Sequence, residues 1–115
     1  MTDTAANLIR LFGLHGKVAV VTGGGQGVGK MIAAGLVDAG ARVYIASRKL
    51  ATCEAAAREL SAGGGTCIAL QADASTEAGC LALAAAVQRD EPEVHVLVNN
   101  AGATWGAAFD EYPDA

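Results

Sequence analysis

Aromatic side chains are scarce: two Phe, two Tyr and one Trp make up 4% of the 115 residues. A core must therefore be assembled from Ala, Val, Leu and Ile. Basic residues are outnumbered, 8 Lys and Arg against 12 Asp and Glu, for a net charge of −4 and a pI near 4.9. Nothing in that balance, or in the scattered placing of the Lys and Arg residues, suggests a nucleic-acid-binding or polybasic membrane surface, and neither partner is expected. No apolar run reaches the ~20 residues of a membrane span. The N-terminus has no basic segment leading into a long apolar stretch, so no signal peptide is read there and the expected location is the cytoplasm. Cys53, Cys67 and Cys80 lack C-x-x-C spacing, and His15 and His95 stand alone. Neither zinc nor a redox pair is expected, and the three cysteines read as small buried hydrophobes.

Apolar residues and glycine are abundant. Hydrophobic residues make up 52% of the chain, and there are 15 glycines. One folded domain with a real core is expected, with much of the glycine at turns. The most informative stretch is Val18 to Lys30. A β-branched run stops at Thr22, a glycine cluster follows, and a helical pattern begins near Gly27. The first turn of such a helix has unpaired N–H groups at its positive dipole end, which suits a phosphate or pyrophosphate. Two patterns compete for these residues. A P-loop, G-x-x-x-x-G-K followed by Ser or Thr, fits Gly24, Gly29 and Lys30, but Met31 stands where the Mg²⁺-holding hydroxyl is needed. A dinucleotide turn fits the glycines differently, as Thr22-Gly23-x-x-x-Gly27-x-Gly29.

Along the chain, residues 1–16 are a lead-in, in which Asn7 to Phe12 reads as one apolar helical turn or a tail that packs elsewhere. Residues 17–115 form the main domain. The first strand is predicted over Val18 to Thr22, a continuous apolar run of the kind buried on both faces. The first main helix is predicted over Gly27 to Ala39, with Val28, Ile32, Leu36 and Ala39 on its inner face. Gly40 stops it. A strand follows over Arg42 to Ala46, then a helix over Lys49 to Ser61 with Leu50, Cys53, Ala57 and Leu60 inward. A third strand is expected over Cys67 to Gln71. The next helix starts at a Ser75 N-cap, carries Cys80, Leu83 and Val87 inward and stops before Pro92. A fourth strand is expected over Val94 to Val98. The alternation predicts an α/β fold, a partial Rossmann-type doubly wound parallel sheet in the order 3-2-1-4. Right-handed crossovers place two helices on one face and the third on the other. The fourth strand is then a bare apolar edge, and a chain made alone is expected to be marginal or self-associating.

A doubly wound sheet binds its ligand at the carboxyl ends of its strands. Those ends carry Gly23 to Gly29, Ser47-Arg48, Asp73-Ala74 and Asn99 to Gly102. Where dinucleotide folds keep a carboxylate for the ribose diol, this chain has Ser47, Arg48 and Lys49. A hydroxyl and a guanidinium would receive a 2′-phosphate that a carboxylate repels, so NADP(H) is expected over NAD(H). Asp73 suits either an adenine amino group or the turn it stands in.

Taken together, Thr22-Gly23-x-x-x-Gly27-x-Gly29, Asp73 and Asn99-Asn100-Ala101-Gly102 resemble the short-chain dehydrogenase/reductase family, from Gly16 to about Gly106. The resemblance implies that Gly23, Gln26, Gly27 and Val28 contact the pyrophosphate and the nicotinamide side. It implies a 2′-phosphate site at Ser47 and Arg48, an adenine site at Asp73 and Ala74, and a ribose and sheet-stabilising segment at Asn99, Ala101 and Gly102. A basic residue common in NADP-using members before the second motif glycine is replaced by Gln26, so the NADP reading rests mainly on Arg48. It also implies a small-molecule carbonyl or alcohol substrate, hydride exchange of a 3-oxoacyl-reductase type, and a homo-oligomeric parent.

The family's acid is a Tyr with a Lys four residues on. Tyr112 is followed only by Pro113, Asp114 and Ala115. Tyr44 has Arg48 four residues on, but along a strand that spans roughly 13 Å, against about 6 Å for one helical turn. The chain therefore reads as an amino-terminal cofactor half with no catalytic residue of its own and no metal site. Trp105 stands where the family begins to line its substrate cleft. The alternatives are an NADP-binding module without chemistry and a P-loop nucleotide-binding protein.

Overall fold

The structure is a computed structural model that describes residues 3–102. Trp105 and Tyr112 lie outside that range. Four parallel strands, β1 (Val18–Thr22), β2 (Arg42–Ser47), β3 (Thr66–Gln71) and β4 (Val96–Asn99), form one sheet in the order β3-β2-β1-β4. Helices α1 (Asp3–Phe12), α2 (Gly27–Asp38), α3 (Leu50–Ser61) and α4 (Glu77–Gln88) complete the described chain. Thr22 pairs with Ala46 on one side and Asn99 on the other, and Ser47 pairs with Gln71. This register brings the carboxyl ends of all four strands to one edge.

The sheet packs on both faces, as right-handed crossovers require. Ala19, Val21, Val43, Ile45 and Cys67 face α2 and α3, which contribute Ala33, Val37, Cys53, Ala56 and Ala57. Val18, Val20, Tyr44 and Ala46 face Leu83 and Val87 of α4. The first core is built largely from alanine and β-branched side chains, which lets the helices sit close to the sheet.

That closeness rotates α2 from the expected face. Its buried residues are Gly29, Ala33 and Val37, with Ile32 and Leu36 packed alongside, while Val28 is 64% exposed. A Cβ on Gly29 would lie 2.1 Å from the Gly23 carbonyl oxygen. Only glycine fits where the first turn of α2 meets the glycine turn. The helix ends as expected before Gly40, where Ala41 N–H reaches the Leu36 carbonyl and Gly40 N–H that of Val37.

Other boundaries also differ. α4 is capped by Thr76, whose Oγ1 accepts from Gly79 N–H at 2.9 Å. Ser75 instead closes the turn before the helix, where its hydroxyl and N–H both donate to Asp73 Oδ1. Cys53 and Cys67 are buried, but Cys80 is exposed. It lies one turn before Leu83, where α4 has no buried residue. β4 starts at Val96 because His95 spends its groups differently. Its N–H donates to the Val18 carbonyl and its Nδ1 accepts from Val18 N–H, each at 2.9 Å. Residues 7–12 belong to a longer helix than one turn, α1, and none of its residues is buried. Among the described residues no helix is long and apolar enough to cross a membrane.

At the opposite end of the sheet from the strand carboxyl termini, Arg42 and the Tyr44 hydroxyl both donate to Glu91 Oε1, the latter at 2.8 Å. The Tyr44 hydroxyl, and after it Arg42, hold the Glu91 carboxyl below its ordinary range. A depressed carboxyl stabilises the fold above the unfolded carboxylate pKa of about 4.3, and that contribution is lost as pH falls through the folded value. Melting temperature should therefore fall more steeply on acidification in the native chain than in Glu91→Gln. Parallel acid limbs in thermal melts of the two proteins would contradict this.

Candidate cofactor site

The edge where the strands end opens into a cleft of about 480 Å³. Its wall includes Gly23, Gln26 and Gly27 from the glycine turn, Ser47 and Arg48 after β2, and Asp73 and Ala74 after β3. Ala101 and Gly102, after β4, complete it. Nine of the residues expected from the sequence thus meet at one surface, although they come from four separate loops. Val28 and Asn99 are not on the wall: Val28 points outward on α2, and Asn99 is the last residue of β4. Gly25 and Asn100, which lie inside the segments named from the sequence, also line the cleft, as do Ala46, Ala72 and Ser75, which were not assigned to it. Their position immediately beside the motif residues was the signal available for finding them.

A buried hydroxyl fixes the glycine turn. Thr22 is 7% exposed. Its Oγ1 donates to the Val98 carbonyl at 3.3 Å and accepts from the N–H groups of Asn100, at 3.1 Å, and Ala101, at 3.0 Å. The Asn100 side-chain amide then donates to the Gly23 carbonyl at 3.3 Å. Gly23 N–H donates to the Ala46 carbonyl at 2.8 Å. The loops after β1 and β4 and the end of β2 are thereby held to each other behind the cleft.

The wall itself offers groups for an anion. The N-cap of α2, Gln26, makes no side-chain capping bond, in contrast to Thr76 on α4. The first-turn N–H groups of α2 are thus available to a phosphate. Gly27 has φ +59°, and a Cβ there would find nothing within 4 Å. A side chain at that position would be strained and would occupy open space beside the helix N-terminus. Arg48 is exposed and makes no ion pair among the described residues. Its charge contributes to the lowered pKa of Asp73, after the larger effect of the Ser75 hydroxyl and N–H on that carboxylate. Asp73 therefore both closes its own turn and faces the cleft.

Lys30 does not. Its Nζ pairs with Glu59 of α3 at 2.5 Å, and Met31 beside it is 73% exposed. A P-loop would need the lysine at the phosphates and a hydroxyl after it. Tyr44 is also accounted for: it is buried in the second core, and burial pushes its hydroxyl pKa up, against the needs of an acid at neutral pH.

The short chain dehydrogenase family model matches residues 17–115. The chain belongs to that family. A relative in Pseudomonas aeruginosa, a rhamnolipid-biosynthesis 3-oxoacyl-(acyl-carrier-protein) reductase, is 50% identical over 102 residues, covering 89% of this chain and 40% of the relative. The solved RhlG/NADP complex of P. aeruginosa superposes with a TM-score of 0.81 at 50% identity, over 90% of this chain and 40% of that one. A 3-oxoacyl-(acyl-carrier-protein) reductase from Agrobacterium tumefaciens, solved with NADP, gives a TM-score of 0.85 at 33% identity, over 98% of this chain and 43% of that one. This short chain dehydrogenase chain thus spans about two-fifths of the length of these relatives.

In this family member the seat of α2 depends on the missing side chain of Gly29. Gly29→Ala would force a Cβ against backbone, and overpacking of that kind costs about 1–3 kcal/mol. Thermal melts should show a clear loss of stability together with weaker nucleotide binding. An unchanged melting temperature would show that α2 is free to move away from Gly23.

Proposed function

We propose that residues 17–115 form the cofactor-binding part of an NADP(H)-dependent oxidoreductase acting on a small carbonyl or alcohol substrate, of the 3-oxoacyl-reductase type. The observation that carries this reading is the company Arg48 keeps. It stands on the cleft wall between the glycine turn and Asp73 with no carboxylate beside it after β2. The NADP complexes of the relatives and the 3-oxoacyl names of two of them support the cofactor and the substrate class.

The residues present fit such a cofactor. The α2 N-terminus with Gly23, Gln26 and Gly27 would hold the pyrophosphate, with Val28 beside it. Ser47 and Arg48 would hold the 2′-phosphate, Asp73 and Ala74 the adenine, and Asn99, Ala101 and Gly102 the nicotinamide ribose side. The bound cofactor supplies or accepts hydride. The residues of this chain bind and orient it: the dipole and N–H groups of α2 fix the charge, and the Thr22–Asn100 bonds keep the loop that carries them in place. No residue between 3 and 102 is assigned the acid–base step, and no metal is invoked. The parent protein is read as a homo-oligomer working in the cytoplasm, in keeping with three free cysteines.

Arg48→Ala tests the cofactor assignment. A hydrogen bond to a charged group contributes about 1.5–3 kcal/mol, so NADPH binding should weaken roughly ten- to a hundredfold while NADH binding changes little. Equal losses for the two cofactors would show Arg48 to be structural.

A further inference from the structure

We propose that Gln71 is a positioning residue for the 2′-phosphate site: its side-chain amide anchors the Arg48 backbone and so sets the preference for NADP(H) over NAD(H). This rests on the 2′-phosphate reading of Arg48 given above. Gln71 is the last residue of the edge strand β3 and lies outside the cleft wall. It is paired with Ser47 across the sheet. From there Nε2 donates to the Arg48 carbonyl at 3.2 Å. A carbonyl oxygen can only accept, so the amide end that faces it must be the nitrogen.

The bond completes a frame around one short turn. The Ser47 carbonyl accepts from Ala72 N–H at 3.0 Å, and Ser47 Oγ accepts from Lys49 N–H at 3.2 Å. The Arg48 carbonyl shares its planar peptide with that Lys49 N–H, so Gln71 holds the opposite side of a peptide that Ser47 Oγ already holds. Arg48 is exposed, and no side chain among the described residues pairs with its guanidinium. The backbone therefore fixes where that side chain starts. A long cationic side chain that must be ordered on binding loses affinity through the freedom it gives up. Holding the carbonyl of the same residue leaves that side-chain loss in place but fixes the backbone from which the side chain starts, so the backbone part of the ordering precedes the ligand. Gln71 is not on the wall, so an effect passed through Arg48 is confined to ligands that carry the 2′-phosphate, whereas one passed along the chain to Asp73 would reach AMP as well.

Adenosine 2′,5′-bisphosphate and AMP differ by that phosphate and need only the adenosine end of the cleft. Dissociation constants for both, measured by calorimetry on the full chain, compare the native protein with Gln71→Met, Arg48→Ala and the double variant. Methionine keeps the length of the side chain and removes the donor. Gln71→Met should weaken the bisphosphate about three- to tenfold, the loss expected for one neutral hydrogen bond, and leave AMP within about twofold. It should have no further effect once Arg48 is alanine. Equal weakening of both ligands, or an undiminished effect in the Arg48→Ala background, would overturn the positioning role. So would a native-like bisphosphate affinity in Gln71→Met when Arg48→Ala alone is weakened. If Arg48→Ala itself leaves the bisphosphate unchanged, the 2′-phosphate reading fails, and the role of Gln71 with it.

Discussion

The cleft depends on one hydroxyl. Thr22 ends β1 beneath the glycine turn, and its Oγ1 uses its donor on Val98 and accepts from two backbone N–H groups, those of Asn100 and Ala101. All of its bonding capacity is spent on the tail of β4. The turn at Asn100 is thereby placed so that the Asn100 amide reaches Gly23, which in turn is the backbone that Gly29 packs against. A serial arrangement follows: hydroxyl, β4 tail, glycine turn, helix. Displacing any member moves the N-terminus of α2, the group best suited to bind a phosphate. Backbone N–H groups deprived of this hydroxyl would have to find water or stay unpaired, at about 1–3 kcal/mol each where burial denies them water.

The same economy explains the two faces of the sheet. On the α2 and α3 side, small residues bring helix backbones near the strands, so the helix whose N-terminus opens on the cleft is closely packed. The α4 side is more thinly covered, by Leu83 and Val87. Leu97 on β4 stays 60% exposed. The apolar surface of β4 is therefore more than the described helices conceal, and the strand's outer edge is unpaired among the described residues. A sheet closely packed at its centre and unpaired at β4 among the described residues leaves an edge that further structure can join.

Much of this was legible in the sequence, because strand order, helix faces and ligand edge follow from alternation and the handedness of crossovers. The motif residues were recognisable for a similar reason: loops at strand ends carry glycine, charge and amide at fixed intervals. What escaped was set by tertiary contact. The inner face of α2 follows Gly29, whose importance lies in the absence of a side chain and so leaves no mark on a hydrophobic pattern. The cap of α4 is Thr76 and not Ser75, whose hydroxyl bonds Asp73 in the turn one residue earlier. The start of β4 moved because the His95 ring replaces a ladder partner of Val18. Gln71 carried no signal at all, since nothing local indicates that its amide meets a carbonyl 23 residues earlier.

The central claim is that the Thr22 hydroxyl holds the β4 tail and, through it, the glycine turn. Backbone amide exchange at Asn100 and Ala101, compared in Thr22→Ser and Thr22→Val, tests it most directly. Serine retains the oxygen, and valine matches threonine in shape without it. Exchange at both amides should stay near native in Thr22→Ser and speed up roughly tenfold or more in Thr22→Val, as loss of a bond of about 1.4 kcal/mol requires. Native protection of Asn100 and Ala101 in Thr22→Val would contradict the account.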